Sequence, residues 1–311
     1  MENPLVSVII PTYKRDEFLI RAVKSVLNQT YKKIEIVIVD DNIPGSDFQK
    51  RSFESIKPYI SNEQAFGPVI KYLNTRGCIG GGAARNFGVK NSTGDYLAFL
   101  DDDDRYLNNK IEEQLKFMIN RKIEMSYQDV KWIDEEDRLV EYRKMDYVKK
   151  SGKNELLKQH ILHSIAPTAV YMLTRDAFFK TEGFGEVKVG QDFILMLRCI
   201  EAGVKIEYMP GAYVLQYLHG KERISLGLNK IEGENELYAL KRKYFKLLEG
   251  EERVYVKFRH FAVLCFACLR SKMYLKSLEY ALITFFTSPI ECCNEARRYF
   301  GNRRESEGSF K

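Results

Sequence analysis

One feature limits the fold of this chain more than any other: a repeated alternation over its first 121 residues. Short runs rich in β-branched residues stand at LVSVII (5–10), IEIVIVDD (34–41), PVIKYL (68–73) and YLAFL (96–100). Between and after them lie 16–28, 46–60, 81–90 and KIEEQLKFMI (110–119), which read as helices. In 16–28, for example, Phe18, Leu19, Ala22, Val23, Val26 and Leu27 recur at the three-to-four residue spacing of one helix face. Strand and helix joined by short connections predict an α/β fold: a mostly parallel sheet flanked by helices. In such sheets ligands bind beyond the carboxyl ends of the strands. Three runs end in polar clusters, Thr12-Tyr13, Asp40-Asp41 and Asp101 to Asp104, so the expected site lies along that one edge.

The pattern loosens after about residue 123. EMSYQDVKWI and RLVEYR look like mixed strands, 144–165 has no readable period, and TAVYML reads as a strand. QDFILMLRCIEAG reads as a helix ended by Gly203, and KIEYMPGAYVLQYL as extended. From 229 onward the chain reads as helical. This divides it into a domain over 1–228 and a helical extension over 229–311.

A chain of 311 residues, 45% hydrophobic and 30% charged, can bury a full core. Its net charge of +6 allows anionic partners without calling for nucleic acid. The six cysteines show no disulfide framework and no second pair at zinc spacing: Cys292 and Cys293 are adjacent, and Cys265 and Cys268 lie in an apolar helical stretch. That usage points to a reducing compartment. MENPLVSVIIP lacks a basic n-region, and "FAVLCFACL" is too short to span a bilayer. The expected location is the cytosol, with peripheral attachment to the inner face of the membrane as the alternative setting.

Four consecutive acids at 101–104 repel one another, and three readings compete. Helix capping explains one or two of them. An EF-hand fails, because Tyr106 stands where the sharp turn needs glycine. A hard divalent cation, Mg²⁺ or Mn²⁺, shared with substrate phosphates would relieve the repulsion. GCIGGGAARN offers only a partial dinucleotide fingerprint, with Arg85 at the third glycine position.

VSVIIPTYKR, IVIVDDN, GGGAARNFGV, GDYLAFLDDDDRY and GQDFILMLR, in that order between about residues 5 and 225, resemble the motifs of the family 2 inverting glycosyltransferases with the GT-A fold. The resemblance implies that the acid row is a DxD motif at a nucleotide-sugar diphosphate. Asp103 then matches the main metal ligand, Asp102 the position facing the ribose, and Asp101 the first acid. Asp104 is left as a helix cap. Asp41 matches the acceptor of the uracil N3–H, and Tyr13 the aromatic on which the base stacks. Pro11 and Thr12 shape that loop, and Arg15 reaches towards the phosphates. Gly81 belongs to a glycine loop beside the donor, with Arg85 and Asn86 on the following helix. Asp192 matches the catalytic base, preceded by Gln191 where the family places Glu. The missing charge lowers the pKa of the base or alters acceptor contacts. His219 matches a metal- or diphosphate-side histidine, and Arg223 and Ser225 a loop closing over the diphosphate. His160, His163 and Trp132 are acceptor-contact or core residues.

The resemblance implies a metal-dependent enzyme that moves sugar from a UDP-sugar to a hydroxyl of a glycan or lipid-linked acceptor, in the making of capsule, exopolysaccharide or cell-wall glycan. Two alternatives are a nucleotidyltransferase acting on sugar phosphates, which would need a glycine-rich phosphate loop that PTYKRDEF lacks, and a catalytically decayed nucleotide- or carbohydrate-binding module. Residues 229–311 hold 16 Lys and Arg against 11 Asp and Glu, which is +5 of the total +6. They are expected to form a hairpin that packs on the first domain or on a second copy, or to touch anionic lipid through Arg297 to Arg304.

Overall fold

A computed structural model describes residues 3–60, 68–150, 152–187, 189–218, 228–295 and 297. Strands β1 (Val6–Thr12), β2 (Ile34–Asp40), β3 (Val69–Asn74) and β4 (Tyr96–Phe99) are parallel, in the order β3-β2-β1-β4. Both β1 and β2 are buried along almost their whole length, which is why they read as continuous apolar runs instead of alternating ones. Between them run α1 (Asp16–Leu27), α2 (Asp47–Ile60) and α3 (Gly81–Lys90), with α4 (Lys110–Arg121) after β4. Gly88 on α3 lets that helix close on the sheet: a Cβ there would come within 2.6 Å of Ile9 and 2.8 Å of Val39.

Beyond β4 the sheet becomes mixed. β8 (Met172–Thr174) is antiparallel to β4, and β6 (Met125–Ile133) is antiparallel to β8. β9 (Ile206–Tyr217) runs parallel to β6, and the two-residue β5 (Arg105–Tyr106) is antiparallel to β9. β7 (Leu139–Arg143) pairs with β6 as a hairpin. Six of the nine strands share one direction. This is the expected α/β class.

Two local readings are corrected. TAVYML is not all strand: Pro167 fixes an extended entry, Thr168–Val170 close a 3₁₀ turn, and only Met172–Thr174 pair with the sheet. The unreadable stretch 144–165 contains α5 (Lys153–His163), whose buried face is only Leu157, His160 and Ile161. So narrow a face leaves no clear period. Two more helices, α6 (Arg175–Phe179) and α7 (Gln191–Glu201), precede β9.

By internal contacts the chain forms two compact units. One comprises 1–153, 165–186 and 191–219, and holds the sheet. The other comprises 154–164, 187–190 and 220–311. In it, α5 accompanies α8 (Leu228–Arg242), α9 (Gly250–Arg270) and α10 (Tyr274–Thr287). There His260 of α9 stacks on Tyr238 of α8 at 4.0 Å, and Lys158 of α5 pairs with Glu252 at 2.6 Å. Glu249 and Glu252 form a reciprocal cap at the start of α9.

The interior of α4 departs from simple patterning. Its buried stripe is Lys110, Ile111, Gln114, Leu115 and Met118, so two polar residues occupy core positions. Gln114 Nε2 donates to Ser126 Oγ and Val170 O at 3.0 Å. Lys110 Nζ has no hydrogen-bond partner and lies 4.2 Å from the centre of the Tyr106 ring. Burial pushes its pKa well down. A lysine whose folded pKa is depressed costs stability while its unfolded form is protonated, and that cost fades as pH rises to the unfolded value near 10.4. Lys110→Met should therefore stabilise the protein by about 1–3 kcal/mol at pH 7. The gap to the parent should narrow towards pH 10. Urea unfolding across that pH range checks both; a less stable variant at pH 7 would show that the amine is compensated.

Candidate active site

The register of the parallel strands builds one edge. Thr12 pairs with Asp40, Asp40 with Asn74, and Ile9 with Phe99, so the ends of β1, β2, β3 and β4 come out together. The expected site residues of the 12–15, 40–41 and 101–104 segments meet there.

On the β2 side, two adjacent acids do different work. Asp40 is fully buried and accepts from Asn42 N, Asn42 Nδ2 and the Tyr72 hydroxyl; burial raises its pKa. Asp41 accepts from Thr75 Oγ1 at 2.5 Å and from the amides of Ile79 and Gly80 at 2.9 Å. It thus organises the loop that leads into α3 and keeps acceptor capacity on Oδ2. Tyr13, opposite, accepts from Cys78 Sγ at 3.5 Å, with Lys14 Nζ 5.0 Å from its ring. Lys14, Arg76 and Cys78 all have positive φ. For non-glycine residues that conformation carries strain, and these three lie in the two loops facing this edge.

The acid row is divided among several partners. Asp102 is buried, accepts from Thr12 Oγ1 at 2.8 Å and sits 3.5 Å from Arg15. Burial pushes its pKa up to about 7 against the pull of Arg15. Asp103 pairs with the Arg15 guanidinium, and its carbonyl accepts from Arg21 Nη2 at 2.6 Å. Asp101 pairs with Arg85. Asp104 does not cap a helix, because α4 begins six residues later and Asn109 occupies its cap position. It is buried instead, and accepts from Gln216 Nε2 at 3.1 Å and Tyr217 N at 3.2 Å on β9. Burial, then Asp103 and Asp101, raise its pKa well above the ordinary range.

Carboxylate oxygens of Asp101, Asp103 and Asp104 lie within 4.8 Å of one another. Three hard oxygen donors at that spacing fit Mg²⁺ or Mn²⁺, so the residues present suit the implied metal. Asp102 is outside this trio. It is 3% exposed, and it was expected to face the ribose. Arg15 is the internal cation of the cluster: although burial disfavours its charge, Asp102, Asp103, Asp101 and Asp104 together hold its pKa above the ordinary value.

The glycine loop and α7 close the far side. Gly80 has φ +89°, and a Cβ on Gly82 would meet Gly185 O at 2.9 Å, so a larger residue would push the 183–185 turn away. Asn86 pins that turn by donating to Phe184 O and accepting from Phe184 N, both at 2.9 Å. Arg85 is 8% exposed, lies 5.5 Å from the Phe184 ring centre and donates from Nη1 to Gln191 Oε1 at 2.9 Å. Asp192 sits in the first turn of α7, where its carboxylate accepts from Phe193 N at 2.8 Å. Burial raises its pKa, while the Phe193 amide and Arg85 pull the other way.

Trp132 donates from Nε1 to Gln216 Oε1 at 3.0 Å and stacks with Arg143. His160 and His163 lie on α5 in the second unit. His219, Arg223 and Ser225 fall outside the described residues. Sequence reasoning missed Arg21, Thr75 and Gln216. Arg21 stands on α1 with no motif around it, and the partners of Thr75 and Gln216 are 34 and 112 residues away, so no local signal marks any of them.

Comparison with known proteins identifies the family and the fold. The profile described as glycosyl transferase family 2 matches residues 7–178. An uncharacterised glycosyltransferase of Methanocaldococcus jannaschii is 31% identical over 70% of this chain and 71% of its own length. Staphylococcus aureus TarS 1–349 in complex with UDP-GlcNAc superposes with a TM-score of 0.59 at 16% identity, covering 89% of each chain. The mannosyltransferase PcManGT of Pyrobaculum calidifontis, in complex with GDP-Man and Mn²⁺, superposes with a TM-score of 0.63 at 15% identity, covering 99% of this chain and 84% of its own. At such identities the two structures establish a shared fold, the curled GT-A type of sheet with flanking helices.

Because Arg15 neutralises the acids that would hold a metal, it should compete with one. Calorimetric titration of Mn²⁺ without nucleotide should give about three- to tenfold tighter binding for Arg15→Met, the scale of a partly buried ion pair. Asp103→Asn should lose the binding. Equal affinities for the parent and Arg15→Met would show that the guanidinium does not contend for the acids.

Proposed function

This chain belongs to glycosyl transferase family 2, and we propose that it moves a sugar from a UDP-sugar to a hydroxyl of a glycan or lipid-linked acceptor with inversion at the anomeric carbon. A role in building bacterial capsule, exopolysaccharide or cell-wall glycan goes with that acceptor class. One observation carries the reading: the Arg85 guanidinium touches both Asp101 of the acid cluster and Gln191, the neighbour of Asp192. That contact ties the diphosphate side of the site to the candidate base.

Asp192 takes the proton of the acceptor hydroxyl. The hydroxyl oxygen then attacks the anomeric carbon, and the bond to the diphosphate oxygen breaks on the opposite face. A base pKa raised by burial moves towards working pH, where proton abstraction is most effective. Gln191 accepts from Arg85 without adding a second charge, which leaves the arginine ion-paired to Asp101 alone among the acids it touches. Arg85 and Arg15 stand where a diphosphate would need cations, and each would exchange a carboxylate for a phosphate oxygen as donor binds. Asp101, Asp103 and Asp104 would hold Mn²⁺ or Mg²⁺, whose charge supports departure of the diphosphate. Tyr13, Asp41 and the 75–80 loop form the base-binding end. The uracil assignment rests on the remaining acceptor capacity of Asp41 meeting the donor at N3. The fold relatives bind UDP-GlcNAc in one case and GDP-Man in the other, so the base is the first point to test.

Two measurements decide the reading. In competition titrations UDP should bind better than GDP or CMP; equal affinity for GDP would overturn the uracil assignment. Asp192→Asn keeps the size of the side chain but cannot take a proton, so transfer should fall by roughly 10²–10⁴-fold with UDP affinity unchanged. A variant that loses UDP binding but turns over normally per bound donor would move Asp192 into the donor pocket.

A further inference from the structure

The α10 side chains buried most deeply are two small hydroxyl residues, Ser277 and Thr284; Ser277 Oγ donates to Cys265 O on α9 at 3.0 Å, and the half-buried Tyr280 ring stacks on Phe261 of α9. Those that turn outward are large and apolar. Tyr274, Leu275, Leu278, Leu282, Phe285 and Phe286 are each more than half exposed, with Leu275 at 86% and Phe286 at 78%. At 100° per residue these six fall within an arc of about 120°, and no charged residue of α10 lies inside it. Ile290, just after the helix, is also 73% exposed. Single exposed apolar residues are ordinary, but a contiguous stripe on one helix marks a surface meant to be covered.

We infer that this outer face of α10 rests on an anionic lipid surface, lying along it. The proposal stands on the hairpin alone and does not depend on the sugar-transfer reading. Among the described residues no helix is long and apolar enough to cross a membrane, and the 14 residues of α10 span only about 21 Å, short of a ~30 Å hydrocarbon core. Contact along the surface is the geometry left for it.

Charge selects the occupant. Exposed Arg270 and Lys272 precede the stripe, exposed Lys276 and Glu279 lie beyond the Phe286 edge of its arc with opposite charges, and exposed Arg297 follows further along the chain. The sequence continues with Arg298, Arg303 and Arg304. A parallel two-fold pairing of this face with a second copy would set Arg270 and Lys272 of one copy against those of the other. Anionic headgroups complement both ends at once, while the leucines and phenylalanines enter the acyl boundary.

The test is sedimentation of the full-length chain with phosphatidylcholine vesicles, with and without phosphatidylglycerol. Binding should require phosphatidylglycerol and fade in 0.5 M salt. Leu278→Asp and Phe286→Asp should each weaken it at least tenfold while circular dichroism and Tm stay those of the parent, and Lys272→Glu with Lys276→Glu should shift the dependence to higher phosphatidylglycerol content. Failure to bind phosphatidylglycerol vesicles at low salt overturns the proposal. So does binding by the two aspartate variants equal to the parent. A parent that sediments as a dimer, ignores vesicles and becomes monomeric as Phe286→Asp would assign the face to a second copy instead. UDP titration of the same variants keeps the outcome separate from donor binding.

Discussion

Holding four like charges together at the end of one buried strand is the constraint on which the rest of the site depends. Consecutive carboxylates at this distance repel, and low-dielectric surroundings strengthen the repulsion. The fold answers by giving each acid its own partner from a different element: Thr12 of β1 for Asp102, Arg15 and Arg21 at α1 for Asp103, Arg85 of α3 for Asp101, and the end of β9 for Asp104. The acid turn is therefore the point where β1, α1, α3 and β9 are tied together. Through Arg85 and Gln191 the tie extends to α7.

The same compensation leaves the site exchangeable. Guanidinium groups neutralise the acids from flexible side chains, whereas Thr12, Gln216 and the Tyr217 amide hold the acids in place from the sheet. In the proposed function the two sets of partners have different fates. On that proposal the arginines would pass to phosphate oxygens on donor binding, while the sheet contacts would stay. The strain at Lys14, Arg76 and Cys78 lies in the loops around this edge, and the 75–80 loop is held there by hydrogen bonds to Asp40 and Asp41.

The helical unit is arranged differently. Its α9 buries Val256, Phe258 and Leu264, while α10 meets α9 through Ser277 and the Tyr280 ring and leaves most of its large apolar side chains exposed.

Much of the fold and part of the site were legible in the residues themselves. The alternation of β-branched runs with helical spacing is written in i+2 and i+3/i+4 neighbours, so β1 to β4 and α1 to α4 could be placed, and with them the strand ends where Thr12, Asp41 and Asp101–Asp103 gather. The ordered motifs pointed to the family. Nothing local told which acid would join which partner. Asp104 looked like a cap until its carboxylate met Gln216 and Tyr217, more than a hundred positions along the chain. Lys110 and Gln114 are polar residues that nothing local marks as buried, yet the packing of α4 puts them inside. The outward turn of α10 was equally hidden, since an apolar stripe has the same period whether it faces a core or a surface. What the sequence by itself determined was everything set by short-range periodicity and by chemistry at strand ends. Only the tertiary structure decided the long-range pairings and the direction each helix face turns, because those depend on which surfaces remain to be covered once all the elements have packed.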